Sequence, residues 1–331
     1  MERRQPRVGF LGVGWIGLNR MTALAHTGHV DVAAIADPNP EMVAAALMEA
    51  PDATPMSSLE DLLAAELDGI VIATPSALHA EQAEKALDLG LSVFCQKPLG
   101  RTETEARRVI DAARRANRLL GVDLSYRHTR GMEALRDLIQ SGGIGRVFAG
   151  DLTFHNAYGP DKPWFYDRKL AGGGCLMDLG THLVDLALWA LDFPRVESVS
   201  GRLYAQAQTA GPNDVEDYAT VRLLLETGAE IVLACSWNLN AGQDAEISAT
   251  FYGDRGAARF RNINGSFYDF QAEQLVGTDR RILCKPPDDW GGRAIVAWGE
   301  RLSAGARYDP EIEKHLVSTQ VLDDVYRAHA R

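Results

Sequence analysis

The sequence contains few cysteines, and their spacing fits neither a disulfide scaffold nor a metal site. Its 331 residues include four, Cys95, Cys175, Cys235 and Cys284, and none forms a CxxC pair. Because close pairs are missing, the cysteines argue against a zinc finger and against a small disulfide-rich fold. Scattered thiols are typical of a reducing compartment, although the sequence leaves a disulfide open.

The chain also lacks a surplus of positive charge. It has 34 Lys and Arg against 45 Asp and Glu, which gives a formal net charge of -11. A chain of this charge repels phosphate backbones and anionic lipid, so nucleic acid and membrane surfaces are disfavoured as partners. An anionic ligand would need a local source of positive charge.

Long hydrophobic runs are missing too. A membrane-spanning helix needs roughly 18 or more consecutive apolar residues, and two aspartates break the apolar segment 183–193. The apolar start of the chain resembles a signal peptide, but Asn19 and Arg20 interrupt it. We therefore expect a cytoplasmic protein without a membrane segment.

The remaining composition predicts a globular protein with two domains. Hydrophobic residues make up 46% of the chain and charged residues 24%, and the length is about twice that of a typical domain. Strand and helix signals alternate up to Leu124, which requires a parallel sheet with helices on both faces. Beyond Tyr126, successive strands with short connections predict a mainly antiparallel sheet. We predict an α/β fold with a doubly wound domain in residues 1–124 and a second α/β domain in 125–331, whose final helix, near 318–326, is a candidate to pack back on the first.

A glycine-rich turn follows the first predicted strand. The segment Gly12-Val13-Gly14-Trp15-Ile16-Gly17 has the form G-x-G-x-x-G and leads into a helix. In this form the glycines allow a tight turn, a close approach of backbone to pyrophosphate, and tight packing of helix on strand. The start of the helix adds free N–H groups and a partial positive charge. Taken alone, the motif also fits an ordinary glycine-rich turn.

Asp37 makes dinucleotide binding the preferred interpretation. It ends the second predicted strand, 20 residues after Gly17, where a carboxylate can accept hydrogen bonds from the adenosine ribose. The same negative charge repels a 2′-phosphate, and Pro38 follows with no Arg or Lys nearby. The sequence therefore predicts NAD as the cofactor and disfavours NADP.

Two further groups of residues are suited to proton chemistry. Lys97 lies just past a predicted parallel strand, at the edge where open α/β sheets bind ligands, although a solvated surface lysine is the competing interpretation. Asp178 and His182 are four residues apart and follow the glycines 172–174, so they share one face of a helix start. A helix cap beside a satisfied histidine is the alternative. A metal is disfavoured because no convincing further ligand accompanies them.

These motifs together resemble the Gfo/Idh/MocA family, the glucose–fructose oxidoreductase and inositol dehydrogenase group. The matching motifs, which cover nearly the whole chain, are Gly12-x-Gly14-x-x-Gly17, Ala36-Asp37, Ala73-Thr74-Pro75 with His79, Lys97-Pro98, Trp164-x-x-Asp167, Ala171-Gly172-Gly173-Gly174 and Asp178-x-x-x-His182-x-x-Asp185. The resemblance implies an N-terminal Rossmann domain that binds NAD and a C-terminal domain with a large open sheet. It also implies a sugar, polyol or cyclitol substrate and a homodimer or homotetramer.

By motif, the resemblance assigns Lys97, Asp178 and His182 to the catalytic positions and implies a cis peptide before Pro98. It places the cofactor among Gly12, Gly14, Trp15, Ile16, Gly17, Asp37, Thr74, Pro75, His79, Gln96 and Lys97. Gln96 departs from the family's usual Glu-Lys-Pro motif. An amide keeps the capacity to hydrogen-bond a ribose but removes a negative charge beside Lys97, which changes how that lysine titrates and how the cofactor is held.

The resulting hypothesis is oxidation of a secondary alcohol to a ketone with hydride transfer to NAD. His182 would be the general base, Lys97 would hydrogen-bond the same oxygen, and Asp178 would orient His182 or hold a neighbouring hydroxyl. Arg127, His155 and Trp164 are further candidate substrate contacts, each weighed against simple packing. Three alternatives stay open: a glycoside hydrolase that uses transient oxidation, a ligand-sensing relative without turnover, and a reductase acting on something other than a sugar.

Overall fold

The structure, a computed structural model, describes residues 4–329, so the outermost residues of both predicted domains lie outside the described part. The chain divides into two compact units. Unit 1 comprises residues 4–125 together with Gly291–Glu313, and unit 2 comprises Tyr126–Trp290 together with residues 314–329. The first boundary lies one residue after the predicted one, and the return of Gly291–Glu313 to unit 1 was not foreseen.

Unit 1 alternates strands and helices up to residue 125. Its strands are β1 (Arg7–Leu11), β2 (Asp31–Ala36), β3 (Thr54–Met56), β4 (Gly69–Ile72), β5 (Ser92–Cys95) and β6 (Leu120–Val122). Its helices in this segment are α1 (Trp15–Ala25), α2 (Pro40–Glu49), α3 (Leu59–Ala64), α4 (Ser76–Asp88) and α5 (Glu103–Ala116). All six strands are parallel, in the order β3-β2-β1-β4-β5-β6. This is the Rossmann strand order, and it confirms the predicted doubly wound parallel sheet.

Local side chains explain where several of these helices begin. Asn39 accepts a hydrogen bond from the backbone N–H of Glu41 at the start of α2. Ser58 and Thr102 cap α3 and α5 in the same way, each accepting from an N–H three residues later at 3.1 Å. Strand β3 was not predicted, because Pro55 interrupts a segment of only three residues.

Unit 2 is built on one large sheet. Its strands are β7 (Val147–Asn156), β8 (Val196–Ala205), β9 (Gln208–Thr209), β10 (Tyr218–Leu225), β11 (Glu230–Ser236), β12 (Ala245–Gly253), β13 (Gly256–Asn262), β14 (Phe270–Val276) and β15 (Asp279–Cys284). Helix α6 (Arg130–Gln140) precedes these strands, and α7 (Arg168–Ala171) and α8 (Thr181–Ala190) lie between β7 and β8. The strand order is β15-β14-β13-β12-β7-β11-β10-β8-β9. Only β7 and β11 pair in parallel, which confirms a mainly antiparallel sheet.

The helical segment directly before β8 differs from the predicted one. The sequence predicts a continuous helix over residues 175–191, whereas the structure has a π-helical turn at Leu176–Gly180 before α8. The hydroxyl of Thr181 donates to the carbonyl of Met177 at 2.5 Å, and a Cβ at Gly180 would lie 2.5 Å from Leu176. A widened turn of this kind is frequent at functional sites.

Two helices close the chain, α9 (Arg293–Ser303) and α10 (His315–His329). Helix α9 was not predicted and belongs to unit 1, where the ring of Trp298 lies 5.9 Å from that of Phe94. Gly69 and Gly121 make room for it, because a Cβ on either would lie within 3.0 Å of the Trp298 ring. The final helix α10 packs on β8 and α8 of unit 2, so the helix that returns to the Rossmann unit is α9 and not, as the sequence suggested, the last one.

Within residues 4–329, no helix combines the length and the apolar character required to cross a membrane.

Candidate active site

The glycine-rich turn of unit 1 has the geometry that a dinucleotide needs. Gly12 has a φ of +86°, and a Cβ there would lie 2.6 Å from the carbonyl oxygen of Ala73. A Cβ on Gly17 would lie 2.2 Å from the carbonyl of Gly12, whereas one on Gly14 would meet no protein atom within 4 Å. Gly12 and Gly17 are therefore required by the fold, while the space beside Gly14 is open for a ligand.

The start of helix α1 reinforces this fit. Gly14 occupies the cap position and supplies no side-chain acceptor for the backbone N–H groups of the first turn. Trp15 begins the helix with 71% of its surface exposed, and Ile16 is half-buried beside it. Uncapped N–H groups and the helix dipole together favour a pyrophosphate at this end. The residues present thus fit the phosphates of NAD.

Asp37 directly follows β2 and ties the glycine turn to the sheet. Its Oδ2 accepts from the N–H of Val13, and its Oδ1 accepts from the N–H of Asn39, both at 2.8 Å. Each carboxylate oxygen can accept more than one hydrogen bond. The carboxylate is therefore held at the carboxyl edge of β2 with remaining capacity for ribose hydroxyls.

His79 links two neighbouring loops of unit 1. It is 1% exposed, and its Nδ1 and Nε2 each lie 2.7 Å from a carbonyl oxygen, those of Pro98 and Thr74. Burial lowers the pKa of His79, while the two carbonyls oppose that shift. Since both ring nitrogens face backbone carbonyls, these contacts favour a role for His79 in holding the loops. The peptide between Lys97 and Pro98 is cis, as the resemblance implied.

Thr74 and Pro75 form the loop that leads into α4. The hydroxyl of Thr74 donates to the side-chain oxygen of Gln82 at 2.6 Å. Pro75 occupies the cap position of α4 and provides no side-chain acceptor there. This loop follows β4, the strand next to β1, so it lies at the same sheet edge as the glycine turn.

The side chain of Gln96 belongs to a buried cluster of polar side chains that sequence reasoning missed. Its Nε2 donates to Oδ2 of Asp123, and the Nε of Arg20 donates to the same oxygen at 2.7 Å. Arg20 comes from α1 and Asp123 follows β6, so their side chains meet although they are 103 residues apart. The sequence does contain one sign of this cluster, the charged Arg20 within the mainly apolar helix α1, because a buried charge requires a partner.

In unit 2, Asp178 lies within the π-helical turn and His182 in the first turn of α8. The indole Nε1 of Trp237, which follows β11, donates to Oδ2 of Asp178 at 3.2 Å. The His182 ring packs edge-on against Tyr126, with centroids 4.9 Å apart. From the sequence alone, packing is the better interpretation of an aromatic residue such as Trp237 at the end of a strand, and the structure adds a polar contact.

Glu216 anchors the glycine turn that precedes Asp178. It is fully buried, and its Oε1 accepts from the N–H groups of Gly174 and Leu176 at 2.8 and 3.0 Å. The hydroxyl of Tyr326, on α10, donates to the same oxygen at 2.7 Å. Burial raises the pKa of Glu216, and the three hydrogen bonds oppose that rise. Sequence reasoning missed Glu216, because its partners lie about 40 residues before it and 110 after it.

The three candidate substrate contacts have different surroundings. Arg127 forms a two-point ion pair with Asp185 at 2.7 and 2.5 Å, which favours a structural role. His155 is 9% exposed, and its Nδ1 lies 2.7 Å from the hydroxyl of Ser236. The half-buried ring of Trp164 stacks on Phe165, with centroids 3.8 Å apart. A contact between any of the three and substrate therefore stays a prediction.

The structure brings the predicted residues together in two groups. The glycine turn, Asp37 and the loop with His79 share unit 1 with Gln96 and Lys97, whereas Asp178 and His182 share unit 2. Among residues 4–329, no three His, Cys, Asp or Glu side chains form a group that could hold a metal ion.

A Rossmann sheet with open space at its glycine turn and an acidic residue after β2 is typical of proteins that bind a dinucleotide. Residues 6–124 match the family described as "Oxidoreductase family, NAD-binding Rossmann fold", and residues 132–259 match the "GFO/IDH/MocA C-terminal domain". The chain therefore belongs to the Gfo/Idh/MocA family of oxidoreductases, and its cofactor is NAD.

Characterised relatives match over much of the chain. The dTDP-3,4-didehydro-2,6-dideoxy-alpha-D-glucose 3-reductase of Saccharopolyspora spinosa is 31% identical over 314 residues, which cover 93% of this chain and 90% of the relative. The D-glucoside 3-dehydrogenase of Escherichia coli is 26% identical over 239 residues, covering 67% of this chain and 68% of the relative. The levoglucosan dehydrogenase of Pseudarthrobacter phenanthrenivorans is 28% identical over 253 residues, covering 68% of this chain and 64% of the relative.

Solved structures share the fold over nearly the full length. KijD10, a 3-ketoreductase from Actinomadura kijaniata solved with NADP and TDP-benzene, superposes with a TM-score of 0.85, covering 99% of this chain and 98% of that chain. A levoglucosan dehydrogenase solved with NADH and levoglucosan gives a TM-score of 0.82, again covering 99% and 98%. Both are 22% identical to this chain, and at that level the likeness shows the fold.

Proposed function

We propose that the protein catalyses the reversible oxidation of a secondary alcohol to a ketone on a sugar, polyol or cyclitol, with NAD as the hydride acceptor. The observation that carries the proposal is the Asp178–His182 pair, which directly follows a turn anchored by Glu216, in a chain whose other unit has a dinucleotide-binding turn. The names of the relatives support the substrate class, since they include a glucoside dehydrogenase, an inositol 2-dehydrogenase and a deoxyglucose 3-reductase.

The residues that hold the cofactor are those of the glycine turn and Asp37. Backbone N–H groups at the start of α1 would bind the pyrophosphate, and Asp37 would accept hydrogen bonds from the adenosine ribose. When bound, NAD supplies the nicotinamide ring that accepts the hydride. The charge of Asp37 also disfavours the 2′-phosphate of NADP.

The proton chemistry is assigned to Lys97, Asp178 and His182. His182 takes the proton of the reacting hydroxyl, and the ammonium of Lys97 donates a hydrogen bond to the same oxygen as negative charge develops on it. Asp178 orients His182 or holds a neighbouring hydroxyl. Trp237 fixes Oδ2 of Asp178 and thereby sets the direction in which the other carboxylate oxygen points.

A panel of polyols, aldoses and cyclitols, each with NAD and with NADP, tests this function through absorbance of the reduced nicotinamide. Lys97→Ala and His182→Ala should each abolish turnover and leave NAD affinity nearly unchanged. Lys85→Ala, an exposed lysine of the same unit, is the matched control. If both residues act on one alcohol oxygen, the double variant loses little more activity than either single variant. Near-normal turnover in either single variant would contradict the assignment.

An aryl glycoside in the same panel separates the hydrolase alternative. Net cleavage of the glycoside without net formation of NADH would replace the oxidoreductase proposal with a hydrolase that recycles its cofactor. Neither cleavage nor NADH formation with any member of the panel, together with tight binding of one of them, would favour a ligand sensor.

We also propose that the protein is a cytoplasmic homodimer or homotetramer. In support of the compartment, the four cysteines are scattered along the sequence without a CxxC pair, a usage typical of proteins in a reducing environment. In support of assembly, the large sheet keeps apolar side chains at its surface, since Leu224 is 40% and Tyr252 36% exposed. Light scattering coupled to size-exclusion chromatography measures the mass, and a monomer at micromolar concentration would contradict the proposed assembly.

A further inference from the structure

A buried charged cluster connects the cofactor helix to the carboxyl ends of β5 and β6. Arg20, Asp123 and Gln96 are 6%, 1% and 9% exposed. Oδ2 of Asp123 accepts from both Arg20 and Gln96, and its Oδ1 accepts from the hydroxyl of Ser125 at 2.5 Å. The cluster therefore contains one positive and one negative charge, each with hydrogen-bonding partners.

Each of the three guanidinium nitrogens of Arg20 donates a hydrogen bond. Besides its bond to Asp123, Arg20 donates from Nη2 to the Ser125 hydroxyl at 2.9 Å and from Nη1 to the amide oxygen of Asn19 at 2.6 Å. A buried ion pair is tolerated only with such additional hydrogen bonds, because desolvation otherwise exceeds the attraction. The cluster therefore contains no second positive charge that could balance a further carboxylate at position 96.

The position of Asp123 decides which way the amide of Gln96 faces. A carboxylate only accepts hydrogen bonds, so the amide must turn its NH₂ group towards Asp123. Because an amide is planar, Oε1 then faces away from Asp123. Gln96 directly precedes Lys97, at the strand edge where open α/β sheets bind their ligands. The network thus presents a neutral acceptor oxygen at the ligand edge of unit 1.

We propose that Asp123, supported by Arg20, is a positioning residue that fixes Gln96 as a neutral hydrogen-bond acceptor for a hydroxyl of NAD and restricts position 96 to an amide. The identity of the ligand rests on the proposed function, whereas the coupling between the two side chains does not. A carboxylate at position 96 would face Asp123 across a hydrogen bond, so one of the two would have to keep a proton.

In a Gln96→Glu variant, this coupling should make the stability of the folded protein depend on pH. The titratable and charged groups around position 96 include Asp123, Arg20 and the chain neighbours Lys97 and Cys95. Burial and the charge of Asp123 raise the pKa of the Cys95 thiol, so it stays neutral over the pH range in which carboxyls titrate. In the folded variant the second carboxyl holds its proton to a higher pH than an unfolded glutamate, whose pKa is about 4.3. Stability relative to the natural chain is therefore retained at low pH and lost as pH rises above that value. The protonated glutamic acid donates to Asp123 and accepts elsewhere, as the glutamine does.

The experiment measures thermal unfolding without ligand and NAD affinity by calorimetry, at pH 5 and pH 8. For Gln96→Glu we expect a Tm deficit larger by about 3 °C at pH 8 than at pH 5. Its Kd for NAD should rise about tenfold at pH 8, the size expected for one lost hydrogen bond, and recover at pH 5. Gln208→Glu makes the same change of charge at an exposed position of β9 in unit 2 and should show neither effect.

A second variant keeps the proposal testable if Gln96→Glu fails to fold. Gln96→Glu with Asp123→Asn exchanges the acid and the amide, so the cluster again contains one carboxylate and one guanidinium, and the extra pH dependence should disappear. Folding of this double variant where the single variant does not fold supports the coupling, and failure of both contradicts it. A Tm deficit and a Kd for NAD that are independent of pH in Gln96→Glu also contradict it. If the natural chain does not bind NAD, the proposed function fails, while the unfolding data still decide the coupling.

Discussion

Trp237 donates a hydrogen bond from its indole Nε1 to Oδ2 of Asp178, across 3.2 Å and 59 residues of sequence. The indole is 3% exposed and contacts Phe165 and Tyr166 edge-on, so its own orientation is fixed by packing. A carboxylate held by a rigid donor keeps one orientation when a hydroxyl or an imidazole binds beside it. Trp237 therefore positions Asp178.

Replacing Trp237 with phenylalanine should reduce turnover while sparing the cofactor. The variant removes the donor and retains an aromatic ring, so kcat/KM should fall about tenfold or more, as expected for a hydrogen bond to a charged group. NAD affinity, measured by calorimetry, should stay unchanged because Trp237 belongs to the other unit. Trp189→Phe is the matched control, since a phenylalanine still places a ring beneath Arg136. Equal losses in the two variants would argue against a specific role for Trp237.

The geometry of the glycine turn predicts different effects for Gly12→Ala, which should lower stability, and Gly14→Ala, which should weaken NAD binding. Gly12→Ala forces a positive φ on an alanine and places its Cβ against Ala73, so it should lower the Tm of the ligand-free protein. Gly14→Ala adds a methyl group to open space at a φ of -59°, so the Tm should hold. Its Kd for NAD should rise about tenfold or more, because the methyl occupies the approach of the pyrophosphate. Unchanged NAD affinity in Gly14→Ala would remove the turn from the binding site.

Asp37→Asn should narrow the preference for NAD over NADP. The amide oxygen can keep one of the two backbone hydrogen bonds, whereas the negative charge that repels a 2′-phosphate is lost. We expect the ratio of the two dissociation constants to move about tenfold towards NADP, the equivalent of ~1.4 kcal/mol. Asp52→Asn, at an exposed turn of the same unit, should leave the ratio unchanged. A preference of the natural chain for NADP would refute this interpretation of Asp37.

Glu216→Gln should change how stability depends on pH. Because burial raises the pKa of Glu216, the folded protein binds this proton more tightly than the unfolded chain does. Glu216 therefore destabilises the folded state increasingly as pH rises above about 4.3, the pKa in the unfolded chain. Denaturant unfolding at several pH values should show a flatter profile for Glu216→Gln, whose amide oxygen still accepts from Gly174 and Leu176.

Two further variants accompany the Glu216 experiment, one expected to be strongly destabilising and one that serves as a control. Glu216→Ala leaves two backbone donors and the hydroxyl of Tyr326 without their acceptor, and should cost about 3 kcal/mol or more. Glu197→Gln changes an exposed carboxylate of unit 2 and should reproduce the profile of the natural chain. If Glu216→Gln also follows that profile at every pH, the buried carboxyl does not titrate between the folded and unfolded states.

The sequence predicted the features that depend on local geometry. The glycine turn, the acid after β2 and the alternation of strands and helices are recognisable because each requires particular residues at short spacing, as Gly12 and Asp37 illustrate. Helix α9 was missed because what stabilises it lies elsewhere in the chain. Trp298 packs into space left by Gly69 and Gly121, which are more than 170 residues earlier in the sequence.

The polar network around the predicted site was hidden for the same reason. Arg20 and Asp123 each have an unremarkable place in the sequence, and only the parallel order of the strands brings them to one point. The π-helical turn before α8 could not be foreseen either, because apolar periodicity does not distinguish a widened turn from a regular one over five residues. Long-range partners therefore determine the polar network, whereas local contacts that the apolar pattern does not encode accompany the π-helical turn.

The return of α9 to unit 1 has a consequence for the order in which the protein forms during synthesis. Residues leave the ribosome from the amino end, so the first 125 are made well before the helix that covers Gly69 and Gly121. Every strand of the nine-stranded sheet is translated in the interval between them. The cofactor-binding half, although it begins the chain, is thus not complete until all nine strands of the other half have been translated, and a nascent chain halted before residue 293 would carry a Rossmann sheet with one of its packing surfaces still uncovered.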